Sequence, residues 1–366
     1  MNETDWATVP PARRGAFEDL KIAALSTGLC MTEAALSHLG GASALTVHEY
    51  ATTGGVPLRV EGIDINVPFD EWYCRGAELE LDVHHGELVL RQGAEQFAVD
   101  CVHPLPGYVN RLDSRGDRYD SIVYTHIERI RLSPITGCAY DCKFCDIKGR
   151  VRLRPLDQLL EAADVALADE RFDVRHALIS GGSPGPGTAA AFADTVVALV
   201  EKLGPRLEVD VMMAASSEGP ELVKRLVDAG VAGFAINIEL ESAEGAQHIR
   251  GKYKLSRPHF DATVSAATDL LGRTGRVRSL ILPGLESPAA TLTGVEHIAS
   301  LGADPVLSPF RPAQGTELSV LKPVSTAWLR EVLDGSREIA ARHGVRLGPR
   351  CIPCQHNTLT FPWDVI

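Results

Sequence analysis

Three cysteines lie close together near the middle of the chain. The segment Gly137 to Asp146 has the spacing C-x3-C-x2-C, with thiols at Cys138, Cys142 and Cys145. Three thiolates can hold three corners of a [4Fe-4S] cluster and leave the fourth iron free to bind a substrate or cofactor. Zinc is the competing metal, but zinc sites usually take four protein ligands, with cysteines in pairs. The spacing therefore favours a cluster with one open iron.

With an aromatic residue directly before the third cysteine, this segment resembles the cluster loop of the radical S-adenosylmethionine (radical SAM) superfamily, in its biotin-synthase-like branch. The resemblance implies that Cys138, Cys142 and Cys145 hold the cluster, with Tyr140 and Phe144 beside the cofactor. It also implies that SAM chelates the open iron and is cleaved by one electron to methionine and a 5′-deoxyadenosyl radical, which abstracts hydrogen from a substrate. A reducing partner such as flavodoxin or ferredoxin would supply the electron.

The elements that must position this loop alternate between strands and helices. The first predicted strand, Ile127 to Leu132, precedes the loop, and a helix over Leu156 to Leu167 follows it. Such alternation favours a parallel sheet or barrel, and the resemblance implies the radical SAM (β/α) TIM-type barrel, partial or full. The remaining predicted strands are His176 to Ser180, Leu207 to Met213, Gly233 to Leu240, Val277 to Leu282 and Pro305 to Ser308.

The same patterns divide the chain into three predicted parts. Residues 1–125 form an N-terminal accessory α+β domain, helical in its first half and rich in short strands and glycine turns in its second. Residues 126–315 form the core barrel. Residues 316–366 form a C-terminal extension that completes or caps the barrel, with a seventh strand at Val345 to Leu347 and an eighth at Leu359 to Phe361.

Three residues after the second barrel strand match SAM-contacting positions of the family. They are Gly181, Gly182 and Ser183. Glycine lets the backbone approach a ligand closely, and in the family this turn meets the methionine amino group. Ser183 stands where the family has an acidic residue, so the resemblance is weaker at that position. The alternative is an ordinary strand-to-helix turn.

The fourth strand carries polar side chains on one predicted face. Strict alternation puts Asn237, Glu239 and Glu241 on that face, and polar residues inside a barrel are costly unless they bind something. The resemblance assigns Asn237 and Glu239 to the ribose and methionine parts of SAM. Glu241 is predicted to face the substrate as a catalytic residue, or to be solvated at the barrel mouth. Arg250 is a candidate partner for the SAM carboxylate, or a surface arginine.

Apolar residues follow the fifth and sixth strands. Leu282 and Leu285 flank a Pro-Gly turn that resembles the family motif beside the adenine, so both are expected to pack on the base. Phe310 or Arg311 is expected to reach the cofactor or the substrate from the mouth. For Phe310 a place in the barrel core is the alternative.

A second cysteine pair, Cys351 and Cys354, has the spacing C-x2-C. If Val345 to Leu347 is a strand, the pair lies at its C-terminal end, where TIM-type barrels build active sites, and faces the cavity of the cluster loop. The pair is then either a metal site, a catalytic thiol that donates hydrogen to a substrate radical, or a structural turn. The metal would be an auxiliary iron–sulfur cluster or zinc, with further ligands from Cys30, Cys74, Cys101 or His356.

Composition limits the classes of partner. The net charge is −12, from 36 Lys and Arg against 48 Asp and Glu, which argues against a general nucleic-acid or anionic-membrane surface. No apolar run reaches the roughly 18 residues of a membrane span, and the acidic start does not match a signal peptide. We therefore predict a cytoplasmic protein without a membrane partner, in which eight cysteines serve metal or redox chemistry.

The leading functional prediction is a radical SAM enzyme that acts on a small molecule in cofactor or natural-product biosynthesis. Rearrangement, C–C bond chemistry, epimerisation and sulfur insertion all remain open. One alternative is a radical SAM enzyme that modifies a peptide or tRNA, although the acidic charge disfavours tRNA. Another is a non-catalytic iron–sulfur or zinc protein that uses the barrel as a binding module.

Overall fold

A computed structural model shows two main β-sheets, one in the N-terminal part and one in the barrel. The described residues are 6, 9–41, 45, 54–185, 187–249, 257–272 and 276–365. The N-terminal sheet has the strand order β1-β4-β5-β6-β2-β3, in which all neighbours are antiparallel except β1 and β4. Its strands are β1 Leu29–Met31, β2 Val56–Val60, β3 Ile63–Val67, β4 Leu79–His84, β5 Glu87–Gln92 and β6 Glu95–Val102.

The second sheet has seven strands and forms a partial TIM-type barrel, as predicted. Its order is β15-β14-β13-β12-β11-β8-β7; six strands run parallel, and β7 joins β8 as an antiparallel hairpin. Its strands are β7 Val123–His126, β8 Arg129–Leu132, β11 His176–Ile179, β12 Glu208–Met213, β13 Gly233–Ile236, β14 Val277–Ile281 and β15 Asp304–Leu307. A small ribbon, β9 Ile135–Thr136 with β10 Arg152–Leu153, follows β8.

Helices connect the parallel strands, as the alternating pattern requires. None of the helices in the described ranges is long and apolar enough to cross a membrane. The helices are α1 Pro11–Thr27, α2 Glu33–His38, α3 Leu156–Leu167, α4 Ala189–Leu203, α5 Gly219–Asp228, α6 Ala243–Ala246, α7 Arg257–Leu271, α8 Pro288–Ser300, α9 Thr326–His343 and α10 Ile352–Gln355. Short 3-10 turns lie at Trp72–Gly76, Tyr119–Ser121 and Pro362–Asp364.

One hydrophobic core runs through both parts of the chain. It includes Leu20 of α1, Leu58 of β2, Ile130 of β8 and Val264 of α7. Along the barrel strands, residues of this core alternate with residues that face the barrel interior. Several of the interior-facing residues are charged. They include Arg129, Arg131, His176, Asp210, Arg278 and Asp304, all of them buried. The interior of this barrel is therefore polar toward the N-terminal ends of its strands.

The C-terminal segment, residues 345–361, differs from the prediction. It contains no seventh or eighth strand among its described residues. Gly348 N–H donates to Pro305 O and Leu359 N–H donates to Leu307 O, each at 2.8 Å, so the segment touches β15 at two separate points. The short helix α10 lies between these points and interrupts any continuous pairing.

The same segment also bonds to the N-terminal part. The carbonyl oxygen of His356 accepts a hydrogen bond from Asn66 N–H of β3 at 3.0 Å. The buried Lys21 of α1 donates from Nζ to Thr360 O at 2.8 Å. Residues 345–361 therefore lie between β15 and the N-terminal sheet and hold the two parts of the chain together.

Candidate active site

The cysteine loop is closed at its base by the small ribbon. Arg152 of β10 pairs with Thr136 of β9, so residues 137–151 leave and return at one place. Gly137 opens the loop with φ +69°, and a Cβ there would lie 2.6 Å from Arg150 O. Only glycine combines that conformation with that approach. The ribbon and this glycine fix the direction in which the loop leaves the C-terminal end of β8.

Backbone amides point at the sulfur atoms of Cys138 and Cys145. Cys138 Sγ accepts from Ser183 N–H at 3.2 Å and from Tyr140 N–H at 3.4 Å. Cys145 Sγ accepts from Ile147 N–H at 3.4 Å. Such donors stabilise thiolates and cluster sulfurs. The donor set, three thiols on one short loop with amides aimed at the sulfurs, fits a [4Fe-4S] cluster held by Cys138, Cys142 and Cys145.

Burial favours the protonated thiol at Cys145, whereas the amide donors favour the thiolate. It raises the pKa of Cys145 to about 11, with smaller contributions from nearby carboxylates. A metal must therefore displace the proton as it binds, which makes cluster assembly pH-dependent.

The turn after β11 packs directly on this loop. A Cβ at Gly182 would lie 1.9 Å from Gly137 O, a distance that no side chain tolerates. Ala139 N–H donates to Ser183 O at 2.9 Å, and the return bond from Ser183 N–H ends on Cys138 Sγ. The glycine at this turn is needed for contact with the cysteine loop, a reason that the resemblance did not supply.

The residues after β13 depart from strand geometry. The strand ends at Ile236, and Glu239 adopts φ +67°, a left-handed conformation that is uncommon outside glycine. Its backbone stays tied to β14: Glu239 N–H donates to Leu280 O at 2.9 Å, and Leu282 N–H donates to Glu239 O at 2.8 Å. Asn237 is buried, and its Oδ1 accepts from Leu280 N–H at 3.1 Å. Strained residues of this kind concentrate at functional sites.

The prediction that Glu241 faces the substrate is wrong. Because Glu239 is left-handed, alternation fails beyond it and Glu241 turns toward the helices. Its carboxylate pairs with Arg257 at the start of α7, and a Cβ on Gly294 of α8 would lie 3.1 Å from its Cβ. Glu241 is therefore a packing and ion-pairing residue of the helical layer.

Glu286 is a positioning residue that the sequence pattern did not identify. Its carboxylate accepts from Glu241 N–H at 3.1 Å, and from Ser242 N–H and Ser242 Oγ at 2.8 Å each. Burial raises the pKa of this carboxyl group, and the bonds to Ser242 oppose that shift. The one indication of a role for Glu286 in the sequence was its position directly after Leu285, next to the predicted cofactor-binding turn. Glu286 thereby fixes the segment after β13, in which His248 O accepts a hydrogen bond from Lys143 N–H of the cysteine loop at 2.9 Å.

A separate apolar cluster covers the cysteine loop. Its partly buried members are Cys142, Phe144 and Leu282. Its buried members come from four different connections and are Leu240, Ile249, Leu285, Phe310 and Leu318. The structure thus brings Phe144, Leu282 and Leu285 together, as a common cofactor pocket requires, and it adds Phe310 to them.

Two predicted arginines do not join this group. Arg250 lies outside the described residues. Arg311 donates to Asn357 Oδ1 at 2.8 Å and to Asn66 O at 3.3 Å, so it ties the connection after β15 to the C-terminal segment and the N-terminal sheet. Of the two residues expected at the mouth, Phe310 joins the apolar cluster and Arg311 does not.

The second cysteine pair lies at the opposite end of the barrel. Cys351 Sγ is 3.2 Å from Nδ1 of His176, and Cys354 Sγ accepts from Arg129 Nη1 at 3.3 Å. His176 and Arg129 are the first residues of β11 and β8, whereas the cysteine loop follows the far end of β8. The expectation that Cys351 and Cys354 face the cavity of the cluster loop is wrong, because residues 345–347 are not a strand that carries them to the mouth.

The other predicted ligands for that pair are also absent from the group. Among the described residues, the donors that come within 4.8 Å of one another are those of His176, Cys351 and Cys354. Cys30 donates instead to Cys74 O at 3.1 Å, Cys101 lies on β6, and His356 Nδ1 faces Pro353 O. The sequence did not identify His176 as a member of this group because it is 175 positions from Cys351.

The radical SAM superfamily model matches residues 132–285, which contain the cysteine loop and strands β11 to β14. No curated protein sequence matches the chain. Among solved structures, SuiB from Streptococcus suis is 14% identical with a TM-score of 0.47, over 62% of this chain and 49% of SuiB.

Two further solved structures are similar to this chain. HydG, a maturase of the [FeFe]-hydrogenase, is 15% identical with a TM-score of 0.45, over 59% of this chain and 50% of HydG. Methylornithine synthase (PylB) is 16% identical with a TM-score of 0.43, over 67% of this chain and 78% of PylB. The chain thus spans about half the length of HydG and SuiB. The match at residues 132–285 identifies a radical SAM domain within the chain.

Proposed function

We propose that the chain is a radical SAM enzyme that acts on a small molecule in cofactor or natural-product biosynthesis. The observation that carries the proposal is the contact between the cysteine loop and the Gly181-Gly182 turn, with amides from both segments aimed at Cys138 Sγ. A bound cluster with SAM supplies one-electron cleavage of the sulfonium and a 5′-deoxyadenosyl radical.

The residues of this chain hold and orient those groups. Cys138, Cys142 and Cys145 are the proposed cluster ligands. The backbone at Gly181 and the side chain of Glu239 are proposed for the methionine part of SAM. The left-handed conformation of Glu239 supports this role, because strain at a strand end is maintained only where surrounding contacts impose it.

Further contacts are proposed for the rest of the cofactor. Ser183 and Tyr140 donate backbone N–H to Cys138 Sγ, so their proposed role is through the backbone. Asn237 uses Oδ1 for β14, which leaves its amide nitrogen for the ribose. The apolar cluster with Phe144, Leu282 and Leu285 packs on the base and excludes water, and exclusion of water protects a radical from side reactions.

The partners and branch follow as parts of the same proposal. Polar residues after β13 support the biotin-synthase-like branch. The net charge of −12 favours a small molecule over tRNA. A flavodoxin or ferredoxin in the cytoplasm would deliver the electron. Residues 1–125 are proposed as the accessory domain and residues 316–366 as the extension that covers the barrel edge.

Anaerobic reconstitution tests the proposal. We expect about four irons per chain and formation of 5′-deoxyadenosine from SAM with dithionite as reductant. The Cys145→Ser variant should lose both, whereas Cys101→Ser, which removes an exposed thiol on β6, should keep both. A fully loaded protein that cleaves no SAM would instead be a non-catalytic iron–sulfur protein.

A further inference from the structure

A compact group of sulfur and nitrogen donors lies at the N-terminal ends of the barrel strands. His176 Nδ1 is 3.2 Å from Cys351 Sγ, and the donor atoms of His176, Cys351 and Cys354 all lie within 4.8 Å of one another. Tetrahedral zinc with Zn–S near 2.3 Å and Zn–N near 2.0 Å places its ligand atoms about 3.5 Å apart. The three donors therefore already have nearly the spacing that one zinc ion requires.

The imidazole is oriented by a carboxylate on its other side. His176 Nε2 lies 3.3 Å from Asp210 Oδ2, so Nδ1 is the nitrogen that faces the cysteines. Metal-binding histidines typically donate a hydrogen bond from the N–H of their second ring nitrogen to a carboxylate in this way. Asp210 is itself held by Arg278 Nη1 at 2.7 Å.

That carboxylate can reach Arg278 because of a glycine between them. Asp210 and Arg278 lie on β12 and β14, with β13 in the middle. Gly233 of β13 is paired with Asp210, and a Cβ there would lie 2.7 Å from Asp210 Oδ1. The sheet thus leaves room for a chain of contacts from Arg278 through Asp210 to His176.

We infer that His176, Cys351 and Cys354 bind one zinc ion, a site separate from the radical SAM cluster. Two thiolates and one imidazole are ligands that zinc prefers, and three protein ligands leave a fourth position for water. The cluster loop offers three thiolates, whereas this group of described donors offers two thiolates and one imidazole, a set more typical of zinc than of an iron–sulfur cluster. The aim of His176 Nδ1 at Cys351, with Asp210 behind it, favours a metal over a cysteine pair that merely forms a disulfide.

The site joins segments that are far apart in the sequence. His176 opens a central barrel strand, and the two cysteines belong to the segment that covers β15. A zinc ion would fasten that segment across the N-terminal end of an incomplete barrel. A metal bound by the folded but not the unfolded chain stabilises the fold.

Metal analysis of the reconstituted holoenzyme tests the inference. With Cys138, Cys142 and Cys145 occupied by the cluster, we expect about one zinc beside about four irons per chain. In Cys351→Ser and Cys354→Ser the zinc should fall at least about fivefold while the iron count stays the same. Cys101→Ser is the matched control and should keep both metals.

Three results would overturn the inference. One is a holoenzyme grown with zinc that contains none. Another is loss of iron, and not zinc, in the Cys351 and Cys354 variants, which would indicate an auxiliary cluster. The third is a Cys351–Cys354 disulfide in anaerobically purified protein. None of these bears on SAM cleavage, so failure here is distinguishable from failure of the proposed function.

Alkylation of the unmodified protein covers the case in which the variants do not fold. Bound zinc should protect Cys351 and Cys354 from iodoacetamide while Cys101 reacts, and a zinc chelator should make the pair reactive. Mass spectrometry of the peptides identifies each cysteine. Reaction of the pair at the rate of Cys101 before chelation would contradict zinc binding.

Discussion

The two cysteine sites of this chain lie at opposite ends of one sheet and are built in different ways. The loop site takes its three thiols from eight residues, and the donors aimed at its sulfurs are backbone amides of Tyr140, Ile147 and Ser183. The opposite site takes His176, Cys351 and Cys354 from distant segments. Its surroundings are charged side chains rather than amides.

This difference separates what each site needs from the fold. The loop site needs a tight backbone, which glycines provide. The opposite site needs compensation of buried charge, which Arg278 and His176 provide: although burial opposes it, they hold the pKa of Asp210 below its usual range. Substitutions at the first site should change assembly of the cluster, and those at the second should change the stability of the fold.

The largest expected effect comes from removing a loop thiol. Cys138→Ser should reduce formation of 5′-deoxyadenosine by at least about a hundredfold, because a ligand is lost and two amides lose their sulfur acceptor. Cys354→Ser should keep the rate within about threefold per folded, iron-loaded chain. The measurement is product formation normalised to iron. An equal loss in both variants would show that the two sites are functionally coupled.

A backbone clash at the loop should have the next largest effect. In Gly182→Ala the new Cβ meets Gly137 O, and a backbone atom cannot move aside without displacing the loop. We expect iron incorporation to fall about tenfold with destabilisation of about 2–4 kcal/mol. Gly187→Ala is the control, since nothing lies within 4 Å of a Cβ there. Full iron content in Gly182→Ala would show that the loop moves away.

At the opposite site a charge change should act on the stability of the fold rather than on SAM cleavage. Asp210→Asn leaves buried Arg278 without its carboxylate, and we expect a loss of about 3 kcal/mol in the free energy of unfolding. Glu208→Gln, which breaks the more exposed pair with Arg276, should cost less than about 1 kcal/mol. Denaturant unfolding measures both. Equal losses would mean that burial of the Asp210 pair adds nothing.

The smallest effect concerns the support of the C-terminal segment. Burial lowers the pKa of Lys21 to about 7, against the attraction of Asp64 and Asp364. Between pH 7 and the unfolded value near 10.5, the unfolded chain binds a proton that the folded chain does not. This lysine therefore makes stability rise with pH in that window, by up to about 1.4 kcal/mol per pH unit.

Replacing the lysine isolates that contribution. Lys21→Met removes the titrating group, so the difference in free energy of unfolding between wild type and variant should grow in favour of wild type from pH 7 to 9. Unfolding at several pH values measures it, and the difference cancels other titrating groups. A difference that does not change with pH would show that Lys21 stays protonated in the fold.

Sequence patterns within short segments correctly predicted the main helices and strands of the barrel. The cysteine spacing, the helix Leu156–Leu167 and the six parallel strands all follow from residues close together in the chain. Glu241 was placed on the wrong face because the left-handed backbone of Glu239 ends the alternation. A glutamate at position 239 does not by itself indicate a left-handed backbone. That conformation depends on the hydrogen bonds between Glu239 and β14.

The opposite site required long-range pairing, which one sequence does not show. The strand predicted at Val345–Leu347 is absent because Gly348 and Leu359 meet β15 at single points around a short helix. Cys351 therefore lies at the N-terminal end of the barrel strands and not at the C-terminal end, where it was predicted. A histidine that begins a buried strand was a signal for His176, but nothing local joined it to the cysteines.

The two bonds from Gly348 and Leu359 have a further consequence for β15. This strand is an end strand of an incomplete barrel, and its outward carbonyl groups at Pro305 and Leu307 would otherwise form an open pairing edge. Open edges recruit strands from other molecules. By occupying both acceptors without becoming a strand, the segment ends the sheet without creating another edge. It thereby guards an unclosed barrel against self-association.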